Sequence, residues 1–179
     1  MTWQTRASRT VYENRWIRVE ENDVVGPHGE GIYGVVEMQH PAVFVVAVDD
    51  EDRVCLIRLE RYTTGPSWEV PAGGSDGEDP LVAAQRELAE ETGATAGRWT
   101  PLGRMNALNG IARAPEYVFL AQDVAHGMDA ATSQHEGGIE AVRWVPFGEA
   151  LRMIESGEIT DGESVAALAY AGIHLGRFS

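Results

Sequence analysis

Residues 68–93 read WEVPAGGSDGEDPLVAAQRELAEETG, and this stretch predicts a strand, a glycine loop and a helix. Asp79 and Pro80 suit the N-cap and first turn, and Gly93 suits a left-handed C-terminal cap. Leu81, Ala84 and Leu88 recur at helical spacing, so one side of the helix packs. Its last turns carry Glu87, Glu90 and Glu91. Residues three and four apart share a helix face, which puts Glu87 beside both of the others. Carboxylates held that close repel, and their pKa values rise unless a positive group comes between them. Hard divalent cations such as Mg²⁺ take a few carboxylates together with water and substrate phosphates. An acidic helix face is more often simply solvated, and the helix alone leaves both readings open. Arg86, beside Glu87, can pair with one carboxylate while the others bind metal.

From Gly73 to Ala94 the chain resembles the signature box of the Nudix hydrolases. That box is glycine, five residues, glutamate, seven residues, then Arg-Glu-apolar-x-Glu-Glu-x-Gly-apolar. The second half matches position by position, from Glu78 through Arg86, Glu87, Leu88, Glu90, Glu91 and Gly93 to Ala94. Between Gly73 and Glu78 stand four residues, one fewer than the family pattern. The shortening leaves the helix intact and bears on loop shape and substrate fit.

Composition narrows the function classes independently. The chain has 179 residues, room for a domain of ordinary size with a real core. A formal charge of −14 opposes electrostatic binding to nucleic acid or to anionic membranes. An acidic protein acting on phosphate compounds needs cations to offset the repulsion. The single cysteine, Cys55, excludes an intramolecular disulfide framework. It sits in an apolar run and reads as a small core residue. No signal peptide or membrane span is legible, so a cytoplasmic location is expected.

Outward from the box, residues 1–10 are polar and read as loose, Val11 to Val25 as strand, and Gly26-Pro27-His28-Gly29 as a turn. Gly31 to Met38 is the returning strand of an antiparallel N-terminal sheet. Ala42 to Val48 has the near-continuous apolar content of a strand buried on both faces. Asp49 to Asp52 is an acidic turn, and Arg53 to Leu59 returns as a strand. Beyond the box lie strands at Trp99–Met105, Glu116–Ala121 and Glu140–Val145, with helices at Gly148–Ser156 and Asp161–Leu175. Residues 122–139 read as a long polar loop, a length often functional.

The Nudix resemblance implies an α/β/α sandwich around a mixed sheet, which pattern alone would leave as mixed α and β. Within the family, the N-terminal sheet resembles that of the ADP-ribose and nucleoside diphosphate sugar branch, where it joins two protomers. A division follows into residues 1–40, a dimerisation segment, and 41–179, the catalytic domain. The implied reaction is hydrolysis of a diphosphate linkage with Mg²⁺ or Mn²⁺, giving a nucleoside monophosphate and a sugar phosphate. Divalent ions neutralise the shielding oxygens and lower the pKa of a bound water, leaving positioning to the protein.

By the same resemblance Glu87, Glu90, Glu91 and the Ala72 carbonyl hold the metal. Arg86 orients a carboxylate, and Glu78 fixes the loop. Glu136, flanked by Gly137 and Gly138, is the candidate general base, with Glu140 and His135 as alternatives. Arg58 and Arg61 match the arginines of an Arg-Gln-Tyr-Arg segment in relatives, and arginine suits phosphate. Salt bridges to nearby acids are the other reading for them. Trp68, Tyr62 or Tyr33 could stack on the base. A proline common in ADP-ribose-specific relatives is replaced by Asn109 and Gly110, which keeps other nucleoside diphosphate sugars in view. Outside this branch, a dinucleoside polyphosphate or nucleoside triphosphate pyrophosphatase and a nucleotide-sensing Nudix module remain as alternatives.

Overall fold

The computed structural model describes residues 2–127 and 138–178. Its first elements are β1 (Gln4–Glu13), β2 (Ile17–Gly26), β3 (Gly29–Met38), β4 (Ala42–Ala47) and β5 (Arg53–Arg61). Then come β6 (Gly65–Glu69), β7 (Ala72–Gly74), α1 (Pro80–Thr92), β8 (Ala94–Asn106) and β9 (Ala112–Arg113). The chain continues with β10 (Pro115–His126), β11 (Ile139–Pro146), α2 (Phe147–Ser156) and α3 (Gly162–His174).

Strand β4 is buried on both faces, and its alternation explains the layers. Val43, Val45 and Ala47 point to α1, where they meet Ala83, Ala84 and Leu88 together with Phe119 and Ala121 of β10. Phe44 and Val46 point the other way, onto Phe147, Ala150 and Met153 of α2 and Leu168 and Ala171 of α3. A period of two in the strand thus feeds two cores, one under each helical layer. The result is the expected α/β/α sandwich. In the sheet β7-β4-β10-β8, β4 and β10 run parallel and the other neighbours antiparallel, so the sheet is mixed. Strands β11-β5-β6 form a second sheet, tied to β4 by the bridge Val48–Val54.

The N-terminal sheet has the order β1-β2-β3-β9. Its last strand comes from the loop after β8, where Val36 pairs Ala112 and Glu37 pairs Arg113. Three expectations are corrected here. The polar start is a strand from Gln4, because its backbone groups pair with β2 whatever its side chains do. The run Val11–Val25 is broken at Asn14, whose Oδ1 accepts from the Trp16 and Ile17 amides at 2.9 Å each and turns the chain. The polar stretch after Ala121 also begins as strand, since β10 continues to His126 against Ala94–Arg98. No described helix is long and apolar enough to cross a membrane.

Helix α1 has the caps its sequence dictates. The Asp79 carboxylate accepts from the Leu81 amide at 2.9 Å, and Gly93 closes the helix at φ 72°. The shortened loop before it is a tight turn. Asp76 and Gly77 both have positive φ, 49° and 87°, and the Glu78 amide donates to the Ser75 carbonyl at 2.8 Å. Two consecutive left-handed residues are the requirement of a type I′ turn.

Candidate active site

The site is built where edge strand β7 meets α1. Register decides which way the backbone of β7 faces. The Val45 amide donates to the Pro71 carbonyl, and the Ser75 amide donates to the Pro41 carbonyl. Val43 and Gly73 therefore form the hydrogen-bonded pair, while Ala72 and Gly74 turn their N–H and C=O groups off the sheet edge. The glutamate helix takes up two of these groups. The Ala72 amide donates to Glu91 Oε2 at 2.9 Å, and the Gly74 carbonyl accepts from Arg86 Nη2 at 3.0 Å. The Ala72 carbonyl lies on the same edge.

Gly73 completes this seat. A Cβ there would stand 2.1 Å from Glu87 Oε1, so only glycine lets the Glu87 carboxylate lie against the strand. Arg86 ties the acids together. Its Nε donates to Glu78 Oε2 at 2.9 Å, and its Nη1 donates to Glu87 at 2.8 Å and Glu90 at 3.1 Å. Arg86, Glu78, Glu87 and Glu90 form one ion-pair cluster, with Glu91 beyond it. Burial, more than mutual repulsion, sets the titration of the inner pair. It raises Glu91 to about 8, with the Glu87 charge adding and the Ala72 amide opposing. Burial also raises Glu87, which its bond to Arg86 offsets in part.

These residues fit a divalent cation. Two half-buried carboxylates held above their ordinary range, beside an outward backbone carbonyl, are hard oxygen donors in need of positive charge. As they stand, no three acidic, histidine or cysteine side chains among the described residues converge on one point. The reason is visible: Arg86 lies between Glu87 and Glu90, and Glu91 is turned to the Ala72 amide.

The site opens into a cleft of about 630 Å³ lined by Ala72, Gly73, Gly74 and Asp76 and also by Glu69, Asp161 and Glu163. Arg61 lines this cleft, held by the buried Glu69 with Nη2–Oε2 at 2.6 Å. The structure places Arg58 elsewhere. It pairs with Glu140 at 3.2 Å, sits opposite Trp68 across β5 and β6, and lines a separate groove with Trp68, Pro66 and Glu158. Trp68 is half-buried against the core under α2 and α3. Tyr62 is fully exposed, and the Tyr33 hydroxyl donates to the Gly110 carbonyl. Glu136, His135 and Gly137 lie outside the described residues.

The sequence reading missed Asp76, Glu69, Glu116, Asp161 and Glu163, all of which line the cleft. Glu69, three residues before Ala72, lay inside the quoted stretch and could have been noticed. Asp161 was legible only as the start of the last helix.

A fold with this box geometry defines a class. The Nudix domain model matches residues 38–168, and the nucleoside diphosphate sugar hydrolase N-terminal domain model matches residues 3–36. The chain belongs to the Nudix family and is a Nudix hydrolase; such enzymes generally use a divalent metal.

Within that family it resembles the ADP-ribose and nucleoside diphosphate sugar branch. It is 30% identical over 178 residues to a CMP-5′-(N-acetyl-N-hydroxy-3-aminopropyl)phosphonate hydrolase of Streptomyces rubellomurinus, covering 97% of this chain and 84% of the relative. It is 30% identical to an ADP-ribose pyrophosphatase of Mycobacterium tuberculosis, covering 93% and 81%. The fold matches a crystal structure of an ADP compounds hydrolase with a TM-score of 0.84 at 22% identity, over 100% of this chain and 97% of that one.

Proposed function

We propose that this enzyme hydrolyses the diphosphate linkage of ADP-ribose or another nucleoside diphosphate sugar, releasing a nucleoside monophosphate and a sugar phosphate. The observation that carries the reading is the seating of Glu87 and Glu91 against an outward-facing glycine edge at the mouth of a nucleotide-sized cleft. Glu87, Glu90, Glu91 and the Ala72 carbonyl would hold Mg²⁺ or Mn²⁺. When bound, the cation offsets charge on the diphosphate and polarises the attacking water. Arg86 orients Glu87 and Glu90 and tethers the helix to Gly74. Arg61 stands in the cleft wall as the cation nearest an incoming phosphate, oriented by Glu69. Glu136 is the proposed base.

Turnover of a panel tests this: ADP-ribose, other nucleoside diphosphate sugars, diadenosine polyphosphates and nucleoside triphosphates, each with Mg²⁺ and with Mn²⁺. The expected result is monophosphate plus sugar phosphate, fastest from a diphosphate sugar. Preferred cleavage of polyphosphates or triphosphates would reassign the substrate, and binding without turnover of any compound would mark a sensing module.

The N-terminal segment, residues 1–40, is proposed to pair two protomers, with 41–179 forming the catalytic domain. Strand β1 lies at a sheet edge and is exposed along its whole length, and Trp3, Val11, Tyr12, Trp16 and Ile32 are exposed apolar residues of this segment. Exposed apolar area of that kind marks an interface. Sedimentation at the mass of a dimer is expected, and a purely monomeric boundary at micromolar concentration would refute the pairing.

A further inference from the structure

Three acids lining the cleft, Glu116, Asp161 and Glu163, have no part in holding the cation or orienting its ligands. Glu116 is central among them. It sits on β10 between Ala42 of β4 and Met105 of β8, where a side chain of its type is out of place. Only 6% of the residue is exposed, and its Oε2 has no hydrogen-bond partner among the described residues. An orphaned buried oxygen is costly unless something outside the chain satisfies it. Glu116 borders both the main cleft and an adjoining hollow of about 320 Å³. Glu163 borders both as well, and Asp161 borders the main cleft while capping α3 through the Ser164 amide at 2.7 Å. No arginine forms an ion pair with Glu116, Asp161 or Glu163 among the described residues, unlike Glu69, Glu87 and Glu90. The hollow beside Glu116 is otherwise largely apolar, walled by Val36, Leu108, Ile111, Ala112 and Ala114.

A carboxyl edge beside an apolar wall matches a ring with hydroxyls on its rim and carbon on its face. We propose that Glu116, backed by Glu163, is a specificity residue that accepts hydrogen bonds from the vicinal hydroxyls of a substrate sugar, whose carbon face rests on Val36, Ala112 and Ala114. This rests on the reading of the enzyme as a nucleoside diphosphate sugar hydrolase. Burial, with Glu163 and Asp161 adding, lifts Glu116 to about 7. Near neutrality it is therefore present in both forms. Either form accepts from a neutral hydroxyl, whereas an ammonium ligand would need the ionised one. The ring could be the distal sugar or the nucleoside ribose, which present the same diol.

Kinetics of the full chain with Mg²⁺ on three compounds separates the outcomes: ADP-ribose, its analogue lacking the 2-hydroxyl of the distal ribose, and its analogue built on 2′-deoxyadenosine. Glu116→Leu is expected to lower kcat/KM on ADP-ribose by about 10- to 100-fold, the worth of hydrogen bonds to a charged group. On one deoxy analogue, which keeps only one of the two hydroxyls, the loss should be clearly smaller, and that analogue identifies the ring. Its melting temperature should hold or rise, because an unsatisfied buried oxygen is removed. Should the leucine variant not fold, Glu116→Gln carries the same comparison with a smaller loss in the same pattern. Equal losses on all three compounds, or none, overturn the subsite while the substrate class stands. No turnover of any of the three by the wild type overturns the substrate reading and the subsite with it.

Discussion

Glu91→Gln is expected to lower turnover on the order of 10³-fold or more while raising the melting temperature of the metal-free protein at pH 8. The activity loss follows from removing the proposed metal ligand whose titration burial raises furthest. A cation at such a position supplies several kcal/mol of charge stabilisation in the transition state, and each 1.36 kcal/mol is tenfold in rate. The gain in stability follows from linkage. Glu91 titrates at about 8 in the fold against 4.5 as an isolated side chain. Its folded pKa is raised, so its contribution is fully present below pH 4.5 and is lost as pH climbs through 8. At pH 7 the folded chain must therefore hold a proton on Glu91 that the unfolded chain gives up, which costs the metal-free fold on the order of 3 kcal/mol. Glutamine keeps the shape and an oxygen for the Ala72 amide without the charge. A rise of about 6–12 °C is expected for a chain of this size. The wild type should lose stability between pH 5 and 8 more steeply than the variant, and Mg²⁺ or Mn²⁺ should restore the wild type alone. Thermal melts across pH, with and without the cations, check both halves. A variant that is inactive and less stable at pH 8 would show that Glu91 only braces the Ala72 edge.

The sequence carried the helix, its caps and its acidic face because each rests on local spacing, and local spacing survives folding. Asp79, Pro80 and Gly93 occupy the positions that their chemistry favours. The buried central strand was legible for the same reason, since Ala42–Ala47 has no polar side to turn outward. What stayed hidden depends on partners far along the chain. Strand β1 is polar and is held by β2, so no periodicity announces it. Arg61 read as either a phosphate ligand or a salt-bridged arginine, and only its pairing with Glu69 of β6 shows the salt bridge. Arg58, three residues earlier, goes to Glu140 on β11 and away from the cleft. Glu116 looked like the first residue of an ordinary strand. Only the meeting of β10, β4 and the start of α3 makes it a buried acid facing a cavity.

Arg86→Met is expected to act oppositely to Glu91→Gln on the metal-free protein and in the same direction on turnover. Arg86 holds four groups at 2.8–3.1 Å: Glu78, Glu87, Glu90 and the Gly74 carbonyl. Its loss leaves Glu87 and Glu90 facing each other on one helix edge with no cation between them. Breaking a fully buried pair costs about 3–5 kcal/mol, while exposed pairs are worth under about 1 kcal/mol. Glu87 is mostly buried, but Glu78 and Glu90 are nearly half exposed, so a loss of roughly 1–3 kcal/mol is expected. This loss should grow as Glu87 ionises, and divalent cations should partly repair it by supplying the missing positive charge. Turnover should still fall, by about 10- to 100-fold, as when the outer supports of a metal ligand are removed. Arg86→Lys should regain some stability but little activity, because an ammonium cannot span Gly74, Glu78 and the two helix acids with a planar fork. The competing role is a plug, since Arg86 occupies the space between Glu87 and Glu90 that a cation would share. A plug makes the contrary forecast: Arg86→Met would bind Mn²⁺ more tightly and keep its turnover. Calorimetric titration with Mn²⁺ alongside steady-state rates decides between them, and tighter binding at undiminished rate would remove Arg86 from the working site.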